Sequence, residues 1–293
     1  MDIDELAKYK KAGEILVRVR EEAKTMIHVG ASILEVANFV EDTTRKLGGE
    51  PAFPCNISRD RVAAHDTPTP NDESVFGEEM VKLDIGVHVD GYIADSAVTV
   101  DLSGNPDLVE ASQAALEAAI ELIEPGVNTG QLGAAIEATI EGYGYKPISN
   151  LTGHGLQRYE AHASPAIPNK SSKTGVFLEE GDVIAIEPFA TNGVGRISEA
   201  SQAEIYSFLT KKPVRSPPVR ALMKDIQNNY EALPFARRWL KGKRIDYSLN
   251  QLIKAGVLYK YPLLWEAEGT LVSQAEHTMI VLGSGVLVTT RYI

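Results

Sequence analysis

The stretch LDIGVHVDGYIADSAV, Leu83 to Val98, sets two aspartates in an otherwise largely apolar run. It reads as a buried β-hairpin, with two apolar strands flanking a turn within Val89 to Gly91. Asp84 and Asp95 interrupt it, eleven residues apart. Ionised carboxylates are rarely buried without a partner, because removing them from water is costly. Side chains alternate faces along a strand, and an even-length loop pairs each odd position with an even one. Since 84 and 95 sum to an odd number, any even loop sets both carboxylates on one face. A Val89-Asp90 turn makes them face each other, an Asp90-Gly91 turn makes them diagonal neighbours, and an odd loop or a bulge separates them. Two carboxylates so close repel, which raises one pKa or requires a cation. Taken alone, the pair also fits two solvated aspartates near a turn.

Outward from the hairpin, a faint repeat runs at an offset of 96 residues. VGASILEVANFVEDTTRKLGGEPAF from Val29 resembles PGVNTGQLGAAIEATIEGYGYKPIS from Pro125, with Gly30, Glu41, Gly48 and Pro51 matching Gly126, Glu137, Gly144 and Pro147. Each copy follows a segment with apolar residues at three- and four-residue steps, so each half predicts two helices and then strands. Ser32 and Thr129 are expected N-caps, and the glycines at 48 and 144 expected helix stops. GDVIAIEPFA predicts a short apolar strand, and AEHTMIVLGSGVLVTTRYI a closing hairpin. The pattern is that of an α+β domain, pseudo-symmetric, with a site between its halves.

Between those last strands lies a basic stretch. Residues 211–260 carry a net +9 against −20 for the rest of the chain. It opens on KKPVRSPPVR and gives helical patterns in ALMKDIQNNYEALPFARRWLKG and SLNQLIKAGVLY. An inserted subdomain is expected over 210–265, leaving 1–209 and 266–293 as the main domain. No apolar run is long enough for a membrane span, and MDIDELAKYKKAGEI is too charged for a signal-peptide core. Cys55 is the lone cysteine, which excludes an intrachain disulfide. A cytoplasmic location is the expectation.

Further candidates gather downstream. His154 stands between two glycines in LTGHGL, and His162 follows in RYEAHASPAIPN. Glu187 ends the apolar VIAIEP, and Glu276 opens another apolar strand in SQAEHTMIV. A carboxylate-rich set with one imidazole suits a pair of divalent ions such as Mn, Fe, Co or Zn. Such a pair neutralises the aspartates and lowers the pKa of a shared water.

LDIGVHVDGYIAD, LTGHGLQRYEAHASPAIPN, GDVIAIEPFAT and AEHTMIV together resemble the methionine aminopeptidases of the pita-bread metallopeptidase fold, in order and spacing over nearly the whole chain. The basic insertion is similar to that of the type II class, a helical unit of the winged-helix kind, and the short N-terminus to archaeal members. The resemblance implies that Asp84 chelates one metal, that His154 and Glu187 bind the other, and that Asp95 and Glu276 bridge the two. It implies that a bridging hydroxide attacks the first peptide carbonyl of nascent chains beginning with methionine, with Glu187 as general base. His162 then contacts the scissile carbonyl and His65 the amide nitrogen. A monomer is the family expectation.

His65 read on its own is an exposed loop histidine near prolines, and His162 alone fits a structural role equally. His28 reads as surface, His88 as a turn neighbour and His277 as a packing residue facing away from Glu276. Cys55 reads as a small buried residue, and Asp66, Asp90 and Asp101 as turn or strand-end residues. Phe53, Ile93 and Tyr159 are candidates for the pocket that takes the methionine side chain. Two other functions compete. A proline-directed peptidase shares the ligands but usually carries a large domain before the catalytic one. A non-catalytic binding relative would be expected to have lost ligands. The basic unit also suggests contact with ribosomal RNA through Arg237, Arg238, Lys241 and Lys243, against the plainer reading of a basic face packed on an acidic body.

Overall fold

The computed structural model describes residues 1–291. Its central hairpin pairs Met80–Val89 with Tyr92–Asp101, closed by Asp90 and Gly91 at φ 52° and 85°. Two consecutive positive φ angles match the right-handed twist of the strands, and aspartate and glycine tolerate them. In this register Asp84 opposes Ala97 and Asp95 opposes Gly86, so the aspartates are diagonal neighbours on one face. The other face carries Val81, Leu83, Ile85, Val87 and Ala94 into a core with the first two helices. One hairpin face thus packs mainly on the helices, and the other presents both aspartates.

Those helices are α1, Ile3–Met26, and α2, Ile33–Lys46. Their counterparts are α3, Pro106–Ile120, and α4, Thr129–Gly142, over a second core with Ile167, Ile184, Ile186 and Met279. The repeat extends to hydrogen bonds. Gly30 N donates to Phe76 O at 2.8 Å, and Gly126 N to Leu178 O at 2.7 Å. Pro51 lies opposite Val87, and Pro147 opposite Ala190. Ser32 caps α2 as expected, but the cap of α4 is Asn128, not Thr129. Asn128 wins because Gln131 reaches back to its backbone N–H and closes a capping box. Thr129 instead accepts the Val176 N–H. The two caps then sit at the full repeat offset.

The second half is built on a five-stranded sheet in the order Val286–Val288, His277–Val281, Val183–Ile186, Thr152–Gln157, Glu160–Pro168. Between its strands the chain leaves for a unit with its own apolar cluster. There α5, Pro217–Tyr230, and α6, Ile245–Lys254, accompany a three-stranded sheet of Phe235–Ala236, Ile205–Phe208 and Leu258–Tyr261. The helical pattern over ALMKDIQNNYEALPFARRWLKG holds only to Tyr230. Glu231 turns to φ 51°, ending the helix, and Phe235–Ala236 pairs with Ile205–Tyr206. Likewise Leu258–Tyr261 is a strand, not the tail of α6. No described helix is long and apolar enough to cross a membrane.

Candidate metal centre

The seven sequence candidates, Asp84, Asp95, His154, Glu187, Glu276, His162 and His65, line one cavity of about 430 Å³. Asp84 and Asp95 enter it from the hairpin. His154 comes from Thr152–Gln157, where its flanking glycines are required: a β-carbon on Gly153 would strike the Ala185 carbonyl, and one on Gly155 the Ser164 carbonyl. Glu187 lies one residue beyond Val183–Ile186, and Glu276 one residue before His277–Val281, with its N–H bonded to Ala97 O at 3.0 Å. First-half and second-half side chains therefore meet at the junction.

His154 Nε2 lies 3.8 Å from Asp95 Oδ2 and 3.7 Å from Glu187 Oε1. Donor atoms of Asp95, His154 and Glu276 fall within 4.8 Å of one another. Asp84 Oδ1 and Asp95 Oδ1 are buried without any hydrogen-bond partner. Burial pushes the Asp84 carboxyl up to about 7. Asp95, Glu187 and Glu276 are pushed well above the carboxylate range, first by burial and then by one another and Asp84. Burial, then His162, lowers the His154 imidazole to about 3, so it is a neutral donor. Four crowded carboxyls, one neutral imidazole and orphaned carboxylate oxygens match the donor set of hard or borderline divalent cations.

The supports of these groups were not among the sequence candidates. Asp95 N–H donates to Thr278 Oγ1 at 2.7 Å, which donates in turn to Asp95 O at 2.8 Å. Thr99 Oγ1 and Gln274 exchange two backbone bonds, and Gln274 Nε2 donates to Glu187 Oε2 at 3.3 Å. Asn169 Nδ2 donates to Glu187 O at 3.1 Å. The available signal was a polar residue at a buried strand position, which marks a hydrogen-bonding duty.

The two remaining candidate histidines, His162 and His65, line the same cavity. The His162 ring centroid is 4.7 Å from that of His154 and 5.9 Å from that of Tyr261, a residue the sequence did not single out. His65 is half-buried and lines the cavity, which corrects its stand-alone reading as an exposed loop histidine. Its backbone is held at φ +66°, a conformation uncommon outside glycine, and Nδ1 is 3.0 Å from Pro262 O. If Nδ1 donates that bond, Nε2 is left as an acceptor. Burial lowers His65 to about 4 and lowers His162 as well, so both are neutral at pH 7.

Phe53 lines the cavity, whereas Ile93 and Tyr159 pack with it in an apolar cluster and are not part of the lining. The open wall is completed by Ile205, Pro234, Tyr259 and Leu264. His28 is exposed, His88 Nδ1 accepts the Gly91 N–H at 3.1 Å, and His277 bonds Thr290 Oγ1 at 2.8 Å. Cys55 is buried, Asp90 pairs with Lys8 and Arg158, and Asp101 binds the turn that follows it. Asp66 lies two residues beyond the Val62–Ala64 strand and is half-buried, and burial raises its carboxyl.

The profile of metallopeptidase family M24 matches residues 7–213, and the chain belongs to that family. Within the family, it is 52% identical over 292 residues to the methionine aminopeptidase of Archaeoglobus fulgidus, covering 99% of this chain and 100% of the relative. Among solved structures, a thermophilic Arx1 superimposes with a TM-score of 0.89 at 18% identity, over 99% of this chain and 91% of that one. The methionine aminopeptidase of Thermotoga maritima superimposes at 0.75 with 24% identity, over 100% and 98%. These two likenesses concern the fold, which is the pita-bread arrangement.

Proposed function

We propose that this chain is a methionine aminopeptidase that removes the initiator methionine from new polypeptides, acting as a monomer in the cytoplasm. The observation that carries the reading is the convergence of seven polar groups on one cavity whose remaining wall includes apolar and aromatic residues such as Phe53, Phe189, Ile205 and Leu264. The cavity is of a size to take a thioether side chain, and a closed site leaves room for only a small second residue.

Asp84, Asp95, His154, Glu187 and Glu276 would hold two divalent ions of the Mn, Fe, Co or Zn kind, which when bound supply Lewis acidity and an ionisable water at the scissile carbonyl. The protein's own groups do the rest. Glu187 is 16% exposed at its side chain against 4% for Asp95, so it is the carboxylate more open to the cavity. It takes the proton of the attacking water and passes it to the departing amine. Gln274 holds its other oxygen. Neutral His162 faces the carbonyl being attacked, and neutral His65 faces the amide nitrogen. The acidic groups favour the free N-terminal ammonium.

The manganese-loaded protein is expected to release the first residue of Met-Ala and Met-Pro peptides and to leave Ala-Pro uncut. Hydrolysis confined to Ala-Pro would make it a proline-directed enzyme.

The unit over 210–265 is part of the same proposal, as an insertion that turns its basic face toward ribosomal RNA. Arg238 cannot serve there, because its side chain is 5% exposed and paired with Glu41, and Arg237 is engaged by Asp246. Lys211, Lys241, Lys243 and Arg244 are exposed. Neutralising these four should abolish co-sedimentation with ribosomes at low salt, and unchanged co-sedimentation would remove the RNA role.

A further inference from the structure

Away from the carboxylate cluster, one buried ion pair ties residues 205–261 to the rest of the chain. Glu41 on α2 and Arg238 are each 5% exposed at the side chain. Arg238 Nη2 donates to Glu41 Oε1, while Nη1 donates to Thr67 Oγ1 at 2.6 Å and to Pro68 O at 3.3 Å. Trp239 Nε1 donates to Glu41 Oε2 at 2.7 Å, and Cys55 N to Glu41 Oε1 at 3.2 Å. Thr67 Oγ1 closes the knot by donating to Cys55 O at 2.7 Å. Arg238 Nε is buried with no partner, so the guanidinium gives up one donor to keep this orientation. Among the described residues, this is the one ion pair between the 205–261 unit and the remainder.

The knot lies beside the cavity wall in sequence. Phe53 stands two residues before Cys55, His65 two before Thr67, and Pro234 four before Arg238, and all three line the cavity. Phe53 and His65 belong to the main body, and Pro234 to the basic unit. Apolar surfaces slide past one another at little cost. A buried charge pair does not, because separating it leaves each charge unpaired and out of water.

We propose that Glu41 and Arg238 are a positioning pair that sets the width of the cavity, and with it the selectivity for the N-terminal side chain, without touching the peptide. The inference rests on the methionine-releasing function proposed above.

The test compares wild type, the double variant Glu41→Gln/Arg238→Gln, Thr67→Val and Arg238→Lys, all loaded with manganese. The double variant removes both charges together and leaves neither stranded. Thr67→Val loosens Arg238 while keeping the pair. In the double variant, KM for Met-Ala-Ser is expected to rise about tenfold with kcat within about twofold. The preference for Met-Ala-Ser over Leu-Ala-Ser is expected to fall about tenfold, in the range that pocket shape commands. Arg238→Lys, which keeps the charge, should recover most of the KM. A lower melting midpoint with unchanged KM and preference would reduce the pair to a structural role and overturn the inference. Should the double variant not fold, the same two ratios in Thr67→Val decide. Wild type that releases no methionine overturns the functional reading and this inference with it. Wild-type release with unaltered variants overturns this inference alone.

Discussion

Replacing Asp84 by asparagine is expected to lower activity by more than about 100-fold and, in chelator-stripped protein at pH 8, to raise the melting midpoint. The first effect follows from the site. Losing a partner behind a metal ligand already costs roughly 10–100-fold, so losing a ligand should exceed that. The second follows from the direction of the shift. Burial raises the folded-state pKa of Asp84 to about 7, above its ordinary 3.8. Without a cation, the folded state therefore bears a penalty above pH 7 that shrinks as pH falls from about 7 toward 4. Stripped wild type should gain stability on acidification over that window, whereas the loaded protein should lose it as protons displace metal. Because the four carboxyls share the strain, the gain from one substitution is on the order of 2–4 kcal/mol. Calorimetry across pH 5–8, with and without chelator, reads both arms. A stripped variant that melts below stripped wild type at pH 8 would refute the crowding argument.

Glu187→Gln should reduce kcat about a thousandfold at saturating metal while leaving KM within a few-fold, the pattern of a lost proton acceptor. The amide keeps the shape of the side chain and an oxygen to accept the Gln274 bond. What disappears is the capacity to take a proton. Steady-state kinetics at several metal concentrations separates this from weakened metal retention, which added ions would offset. A variant retaining more than about a tenth of the activity would assign the base elsewhere.

Given an even loop, parity placed Asp84 and Asp95 on one face, because side chains alternate along a strand. It could not choose between the two even turns, since both preserve the alternation. The choice rests on consecutive positive φ angles at Asp90 and Gly91, a local backbone preference. The cap of α4 was legible in principle, for Asn128 followed three residues later by Gln131 is a capping box and asparagine outranks threonine as a cap, but Thr129 is itself a favoured cap type. LPFARRW carries the apolar spacing of a helix. It forms a short strand and a 3-10 turn because α5 has already ended at Glu231 and Ile205–Tyr206 supplies a pairing edge. Charge counting offered Arg238 as a contact to RNA. A count of charges holds no information on direction, and its partner Glu41 lies almost two hundred positions away. His65 escaped stand-alone reading for a related reason: a proline-flanked loop is ordinarily exposed, and only the Leu264–Trp265 strand against Val62–Ala64 brings this one inside.

The junction between the halves has a mechanical meaning. Asp84 and Asp95 belong to one repeat, while His154, Glu187 and Glu276 belong to the other, so a cation seated among them is a rivet through a seam as well as a reagent. The Asp95–Thr278 and Thr99–Gln274 hydrogen bonds already cross that seam, so a cation held there would tighten a joint the protein has begun with its own groups.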